Sequence, residues 1–188
     1  MHAKAETPEA MLRAAISAVL AGGRAFPRVL DALPAAIYLT DTEGLVTHYN
    51  RACIAFAGRT PRVGQDSWCV TWKLYTEEGE YLPHDQCPMA IAVRERRAIR
   101  GIRAFAERPD GKYVNFQPYP TPLFDDAGNL VAAINLLAEV PSLRQAQTLR
   151  AQAAKCRRLV NLWPDRRSVV VSMAVEYDRK ALAIEQRH

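Results

Sequence analysis

Three prolines at every second position, Pro118, Pro120 and Pro122, interrupt a stretch (107–134) that otherwise reads as two strands. A proline has no N–H to give to a ladder, so within sheets it is confined to edges, first positions and bulges. Alternate residues of a strand aim their backbone groups at the same neighbouring strand. The three prolines therefore remove donors on one flank and leave the other free. Such a strand is expected to have a full neighbour on one side and a shortened one on the other.

The flanking residues supply the register. RGIRAFAER turns at Pro109-Asp110-Gly111 into KYVNFQPYPTPL, and an Asp125–Asn129 turn leads into LVAAINLLAEV. Pairing about the first turn sets residue 108 opposite 112 and 101 opposite 119. The first strand thus runs out where the prolines begin, while LVAAINLL pairs along the other flank. A three-strand antiparallel meander follows.

Upstream, Thr7-Pro8-Glu9 reads as a helix start, with Thr as N-cap, Pro at the first helical position and an acid in the first turn. Met11, Leu12, Ala15, Ile16, Val19 and Leu20 form its apolar face, and Gly22-Gly23 ends it. AAIYLT and LVTHYN flank the turn residues 41–44 as a hairpin. Asn50 is expected to cap a short helix ending at Gly58. The segment 59–87 reads as irregular, with Trp68 and Trp72 spaced to share a helical face. Asp85 is expected to cap a helix over 89–97 that turns Ile91 to one face. The order is helix, two strands, short helices, three strands, long helices, which is an α+β domain with helices on one face of an antiparallel sheet.

Bulk properties narrow the class. At 188 residues, 49% apolar and 24% charged, the chain is globular in composition. No run reaches the roughly 18 apolar residues needed to span a bilayer, and the N-terminus lacks a signal-peptide pattern. Four scattered cysteines without a C-x-x-C pair fit reduced thiols in the cytoplasm. Charge is unevenly placed: residues 1–140 hold 15 Lys/Arg against 16 Asp/Glu, and residues 141–188 hold 10 against 4. The net charge of +5 therefore belongs to the tail, where it reads either as a solvated face or as a footprint for an acidic partner.

ALPAAIYLTDTEGLVTHYNRACIAFAG, LPHDQCPMAIAVRERRAIRG and ERPDG…PLFDDAGNLVAAINLLAEV together resemble the PAS sensor-domain family, of the type often joined to bacterial histidine kinases, over about 28–140. The resemblance implies a five-stranded antiparallel sheet in the order 2-1-5-4-3, a pocket between sheet and helices, and helical extensions that exchange signal with an output module. The expected organisation is an amphipathic helix over 1–25, a PAS domain over 26–140 and a basic helical tail over 141–188, broken at Pro164.

A flavin photosensor of this family would carry Asn-Cys-Arg-Phe-Leu-Gln around its reactive cysteine. RTPRVGQDSWCVTW has Cys69 without that context, which argues against flavin. Haem in the family is usually held by a histidine on the pocket-flanking helix, whereas His84 precedes that helix, which argues against haem. No cofactor is assigned. Cys69, His84 and Cys87 are residue types that bind zinc or form Cys/His nucleophiles, but only three ligands are visible and no orienting acid or oxyanion donor is evident. Buried structural cysteines and a loop histidine are the expectation, and the chain is not read as an enzyme.

Strand alternation places Val131, Ala133, Asn135 and Leu137 on one face of LVAAINLLAEV. By the resemblance this face looks into the pocket, lined also by Phe116, Ile37 and Leu39. A buried Asn135 amide needs a partner, either a small organic ligand or water, or an internal hydrogen bond. In the tail, Ala146, Leu149, Ala153, Cys156, Val160 and Trp163 make a heptad seam, and Val170, Met173 or Ala174, Tyr177, Ala181 and Ile184 a second stripe. An intramolecular hairpin or a bundle with another chain would bury them. The expectation is a homodimer through Leu149, Cys156, Val160 and Trp163. No phospho-accepting histidine lies in 141–187, and no Gly-rich phosphate loop appears. The chain therefore reads as a stand-alone PAS sensory or adaptor protein of bacterial, two-component-related signalling, binding a small ligand or protein partner. A nucleic-acid-associated regulator using the basic tail is the alternative. No membrane contact is expected.

Overall fold

The structure, a computed structural model, describes residues 7–23, 25–140, 143–160 and 166–185, with the side chains of 143–148 and 183–185 left aside. The chain forms two compact units, Met1–Glu139 and Val140–His188.

In the first unit, α1 (Pro8–Ala21) begins as its sequence requires, with Thr7 Oγ1 accepting from the Ala10 N–H at 3.2 Å and Gly22 leaving the helix at φ +65°. A second helix, α2 (Phe26–Ala32), follows. Strands β1 (Ala36–Thr40) and β2 (Val46–Tyr49) form the expected hairpin. In its turn, Asp41 Oδ1 accepts from the Glu43 and Leu45 N–H groups. Next come α3 (Ala52–Ala57), β3 (Lys73–Thr76), β4 (Tyr81–Leu82), a 3₁₀ turn (His84–Gln86) and α4 (Pro88–Glu95). The domain closes with β5 (Ala104–Glu107), β6 (Tyr113–Pro118), β7 (Thr121–Phe124) and β8 (Leu130–Glu139).

The strand order is β2-β1-β8-β6-β5-β3-β4, with β7 pairing β8 beyond the end of β6. Within it, β2-β1-β8-β6-β5 is the 2-1-5-4-3 arrangement. The departure is the β3–β4 hairpin, which extends the sheet past five strands. It falls in the segment expected to be irregular, because Lys73–Thr76 and Tyr81–Leu82 are too short for a period-two signal. The hairpin depends on Gly79 at φ +90° and on the pairing of β3 with β5. Trp68 and Trp72 do not share a helical face, since neither lies in a helix.

The prolines behave as backbone chemistry demands. β5 pairs β6 from Ala104↔Phe116 to Glu107↔Tyr113, the expected register, and stops before Pro118. On the other flank Phe116–Pro118 and then Thr121–Phe124 pair with β8. Between them the Tyr119 N–H donates to the Leu136 carbonyl at 2.9 Å. The Pro120 carbonyl is taken by the Ile99 N–H and by Arg100 Nη1.

Both faces of the sheet are covered. The inner face packs Tyr38, Phe56, Val70, Leu74, Met89 and Phe116 beneath α3 and α4. The outer face packs Ile37, Leu39, Ile134 and Leu136 against Met11, Leu12 and Ala15 of α1. In α4 the core residues are Met89, Ala90 and Val93, while Ile91 is half-buried and Asp85 makes no side-chain cap.

Asn50 does not cap α3 either. Its Oδ1 accepts from the Ile37 N–H at 2.9 Å, and its Nδ2 donates to the Leu30 carbonyl at 2.9 Å and the Ala35 carbonyl at 2.8 Å. A wholly buried amide gains more from three backbone partners, which would otherwise stay unpaired, than from one exposed helix end. Asn50 thus pins the α2–β1 connection to the start of α3.

The second unit is a helical hairpin of α5 (Leu143–Leu159) and α6 (Arg167–Glu185). Among its described residues Ala153, Val170, Ala174 and Ala181 are buried, and Leu149 packs against Ala181. Cys156 and Val160 are half-buried. Leu149 and Ala153 of the expected seam are thus used within one chain, the hairpin being one of the two arrangements that would bury it. Trp163 and the break at Pro164 lie outside the described residues. Arg150 and Arg157 of α5 both bond Asp178 of α6.

Candidate functional site

The space between β1, β8, β6 and the α4 side is where a ligand chamber was expected. Asn135, Ala133, Leu137 and Phe116 all face it. Ile37 and Leu39 do not: β1 alternates, so Tyr38 points inward and its neighbours point out into the α1 packing. The residue that sequence reasoning missed is Tyr38, whose signal was available in that same alternation.

Tyr38 largely fills the chamber. It is wholly buried, and Phe56 meets Phe116 edge-on beside it, with ring centroids 5.3 Å apart. Cys69, Cys87, Leu74 and Met89 also line it. About 10 Å³ remains, room for roughly one water.

The polar groups inside are paired. Asn135 Oδ1 accepts from the Tyr119 N–H at 2.9 Å, and Asn135 Nδ2 donates to the Tyr38 hydroxyl at 3.1 Å. The Tyr38 hydroxyl donates in turn to the Trp68 carbonyl at 2.8 Å. The amide is therefore satisfied internally, by partners distant in sequence. Trp68 anchors the far end of this chain under strain: φ is +64°, in the left-handed region that a bulky residue rarely enters. The Cys69 N–H closes a tight turn onto the Ser67 carbonyl at 2.7 Å, and the Trp68 N–H donates to the Gly44 carbonyl at 2.6 Å. The indole covers Gly44, where an added Cβ would fall 2.4 Å from the ring. A side chain at Gly44 would therefore force the Trp68 ring to move.

Burial, and then the neighbouring Cys69 and Cys87 thiols, raise the Tyr38 phenol well above its usual range, so it remains a donor. Burial likewise pushes Cys53 and Cys87 up to about 12. These thiols stay protonated at neutral pH, whereas a cysteine nucleophile works as the thiolate. Cys69 accepts from the Thr71 hydroxyl at 3.2 Å.

His84 lies beside the Arg59–Asp66 pair. Burial and then the Arg59 charge hold its pKa below the ordinary value, and its Nε2 is buried without a hydrogen-bond partner. Burial opposes ionisation of Asp66, but the Arg62 N–H and the Arg59 guanidinium at 2.6 Å outweigh it and hold the carboxyl below its usual range. Among the described residues no group of three or more His, Cys, Asp or Glu is arranged to hold a metal ion.

No protein-family model matches the chain, and no curated protein matches it. Similar solved structures include the LOV protein of Rhodobacter sphaeroides, at 13% identity over 93% of this chain and 96% of that one, with a TM-score of 0.47. The LOV domain of a blue-light activated histidine kinase from Erythrobacter litoralis is 17% identical over 58% of this chain and 99% of its own, with a TM-score of 0.45. A PAS domain from Colwellia psychrerythraea is 15% identical over 60% and 92%, with a TM-score of 0.40. The strand order and the helices over its inner face make the fold of the first unit PAS-like. A flavin or haem does not fit this interior, since ligand pockets for such groups run to roughly 300–1,000 Å³ and the present space is about 10 Å³. None of the described helices is long and apolar enough to cross a membrane.

Proposed function

We propose that this chain is a PAS-like sensory or adaptor module of signal transduction that works through protein contacts made by its flanking helices. The observation that carries this reading is the buried chain from the Trp68 carbonyl through Tyr38 and Asn135 to the Tyr119 N–H. It starts at a strained loop on the inner side and ends where β6 gives way to β7. The Tyr119 side chain belongs there to the outer cluster that holds α1. A disturbance at either end therefore has a polar route across the sheet. The closed interior supports protein contact over a small organic ligand, because a ligand would first have to displace Tyr38 or Phe116. Free thiols at Cys53, Cys69, Cys87 and Cys156 suit a reducing, cytoplasmic setting.

The test is hydrogen exchange on Tyr38→Phe, which removes one hydroxyl and keeps the ring. Faster exchange is expected in the 67–69 loop, at 117–124 and in α1. Change confined to the loop would overturn the relay. Saturable thermal stabilisation by any member of a metabolite panel would replace protein contact with ligand sensing.

A further inference from the structure

Three sulfur-bearing side chains line the small space left inside the first unit. They are Cys69, Cys87 and Met89, which are 3%, 2% and 0% exposed. Cys69 comes from the loop ahead of β3, Cys87 stands at the N-cap of α4, and Met89 lies in that helix's first turn. Cys87 Sγ lies 3.8 Å from the Trp68 carbonyl, so it reaches the residue next to Cys69. The space of about 10 Å³ admits one body of water size or smaller. A water there would need two or more polar partners, whereas the Tyr38 hydroxyl and the Asn135 amide are already bonded to each other.

The donor set decides what such a space takes. Among the described residues that line it there is no carboxylate and no imidazole, which disfavours magnesium and calcium, whose ligands are oxygens. Structural zinc takes four ligands. Thiolate and thioether sulfurs are the soft ligands that select copper(I), and this closed-shell ion accepts two or three of them. Being monovalent, it also brings the least charge into an apolar interior. The surroundings of the sulfurs suit metal-bound thiolates. The Thr71 hydroxyl donates to Cys69 Sγ at 3.2 Å, and the Tyr38 hydroxyl stands beside the same sulfur. The N–H groups of Met89 and Ala90, at the start of α4, favour the ionised form of Cys87. Donors of this kind orient and stabilise metal ligands from outside.

We propose that Cys69, Cys87 and Met89 form a three-sulfur site for one copper(I) ion in the interior of the first unit. On binding, each thiol releases its proton to solvent and both thiolate sulfurs bond the ion, while the Met89 thioether gives a lone pair. No electron is transferred, and the copper stays monovalent. A coordinating thiol is deprotonated outright, so the ion displaces protons that burial alone would keep in place. The half-buried Leu82 of the two-residue edge strand β4 forms part of the wall, and opening of that short strand gives the ion its way in. The site takes an ion where an organic cofactor is excluded by size. It does not rest on the relay: copper binding and the hydrogen exchange of Tyr38→Phe are read separately, and either can fail without the other.

The test is an anaerobic titration of the reduced full chain with copper(I) held by bathocuproine disulfonate, followed by X-ray absorption at the copper edge. One ion per chain is expected, in a shell of three sulfurs with no nitrogen or oxygen neighbour. Cys69→Ser and Cys87→Ser should each abolish retention against the chelator. Met89→Leu should bind more weakly and show a two-sulfur shell, whereas Cys156→Ser should bind as the wild type does. No ion retained by the wild type, retention unchanged in Cys69→Ser or Cys87→Ser, a three-sulfur shell in Met89→Leu, or nitrogen or oxygen in the wild-type shell would overturn the proposal. If circular dichroism shows that the serine variants at 69 and 87 do not fold, the wild-type shell and its persistence in Cys156→Ser decide.

Discussion

In Met1–Glu139 the buried amides reach partners far along the chain: Asn50 bonds Ile37, 13 residues away, and Asn135 bonds Tyr38, 97 residues away. In Val140–His188 the ion pairs from Arg150 and Arg157 to Asp178 cross a single helical turn-back. The first unit encloses aromatic and branched side chains on both faces of a sheet, while the second, among the described residues, buries three alanines and Val170. Long-range burial yields a unit that unfolds as a whole. The same chain thus carries a platform closed by contacts between distant residues and a hairpin closed by contacts between two successive helices.

That contrast can be broken by mutation. The largest effect is expected in the platform: Phe116→Ala should cost about 3–5 kcal/mol in urea unfolding, because its cavity opens beside a space with no slack to collapse. A cost under about 1 kcal/mol would mean that the inner face is looser than its packing implies.

A smaller effect is expected at the polar edge of the platform. His84 has its folded pKa lowered by burial and the Arg59 charge, so its contribution is present above the unfolded pKa of about 6.5 and is lost as pH falls through the lower folded value. His84→Gln should therefore flatten the stability profile below about pH 6.5 and leave neutral pH nearly unchanged. An unchanged acid limb would refute the assignment. Asp66 adds loss in the same direction, at a pH below the ordinary aspartate range.

The smallest effect is expected in the hairpin. Asp178→Ala removes two exposed ion pairs and should cost on the order of 0.5–1 kcal/mol, visible as faster hydrogen exchange in α5 and α6 with the platform unaffected. Faster exchange in β1 or β8 as well would show that the two units are not energetically separate.

Much of the platform is legible in the sequence. Pro118, Pro120 and Pro122 report a one-sided strand because a missing N–H is a property of the residue itself. The 109–111 turn sets its register because pairing about a tight turn is a local count. Thr7-Pro8 starts α1 for the same kind of reason. The β3–β4 hairpin is not legible, since its short strands exist through pairing with β5 rather than through their own pattern. Asn50 and Asp85 look like caps in sequence and are not caps; for Asn50 the reason is that backbone partners elsewhere decide where its amide goes.

The candidate site divides along the same line. Alternation alone turns Ala133, Asn135 and Leu137 inward, and the same rule applied to β1 turns Ile37 and Leu39 outward and Tyr38 in. Whether the enclosed space is a chamber or a packed core cannot be read from residue types, because volume depends on how Tyr38, Phe56 and Phe116 meet across elements. Likewise the heptad spacing of α5 marks a buried seam but not the identity of what buries it. Periodicity and backbone chemistry act between near neighbours and are therefore written in the sequence; the filling of space and the choice among hydrogen-bond partners act between distant residues and are decided when the chain closes on itself.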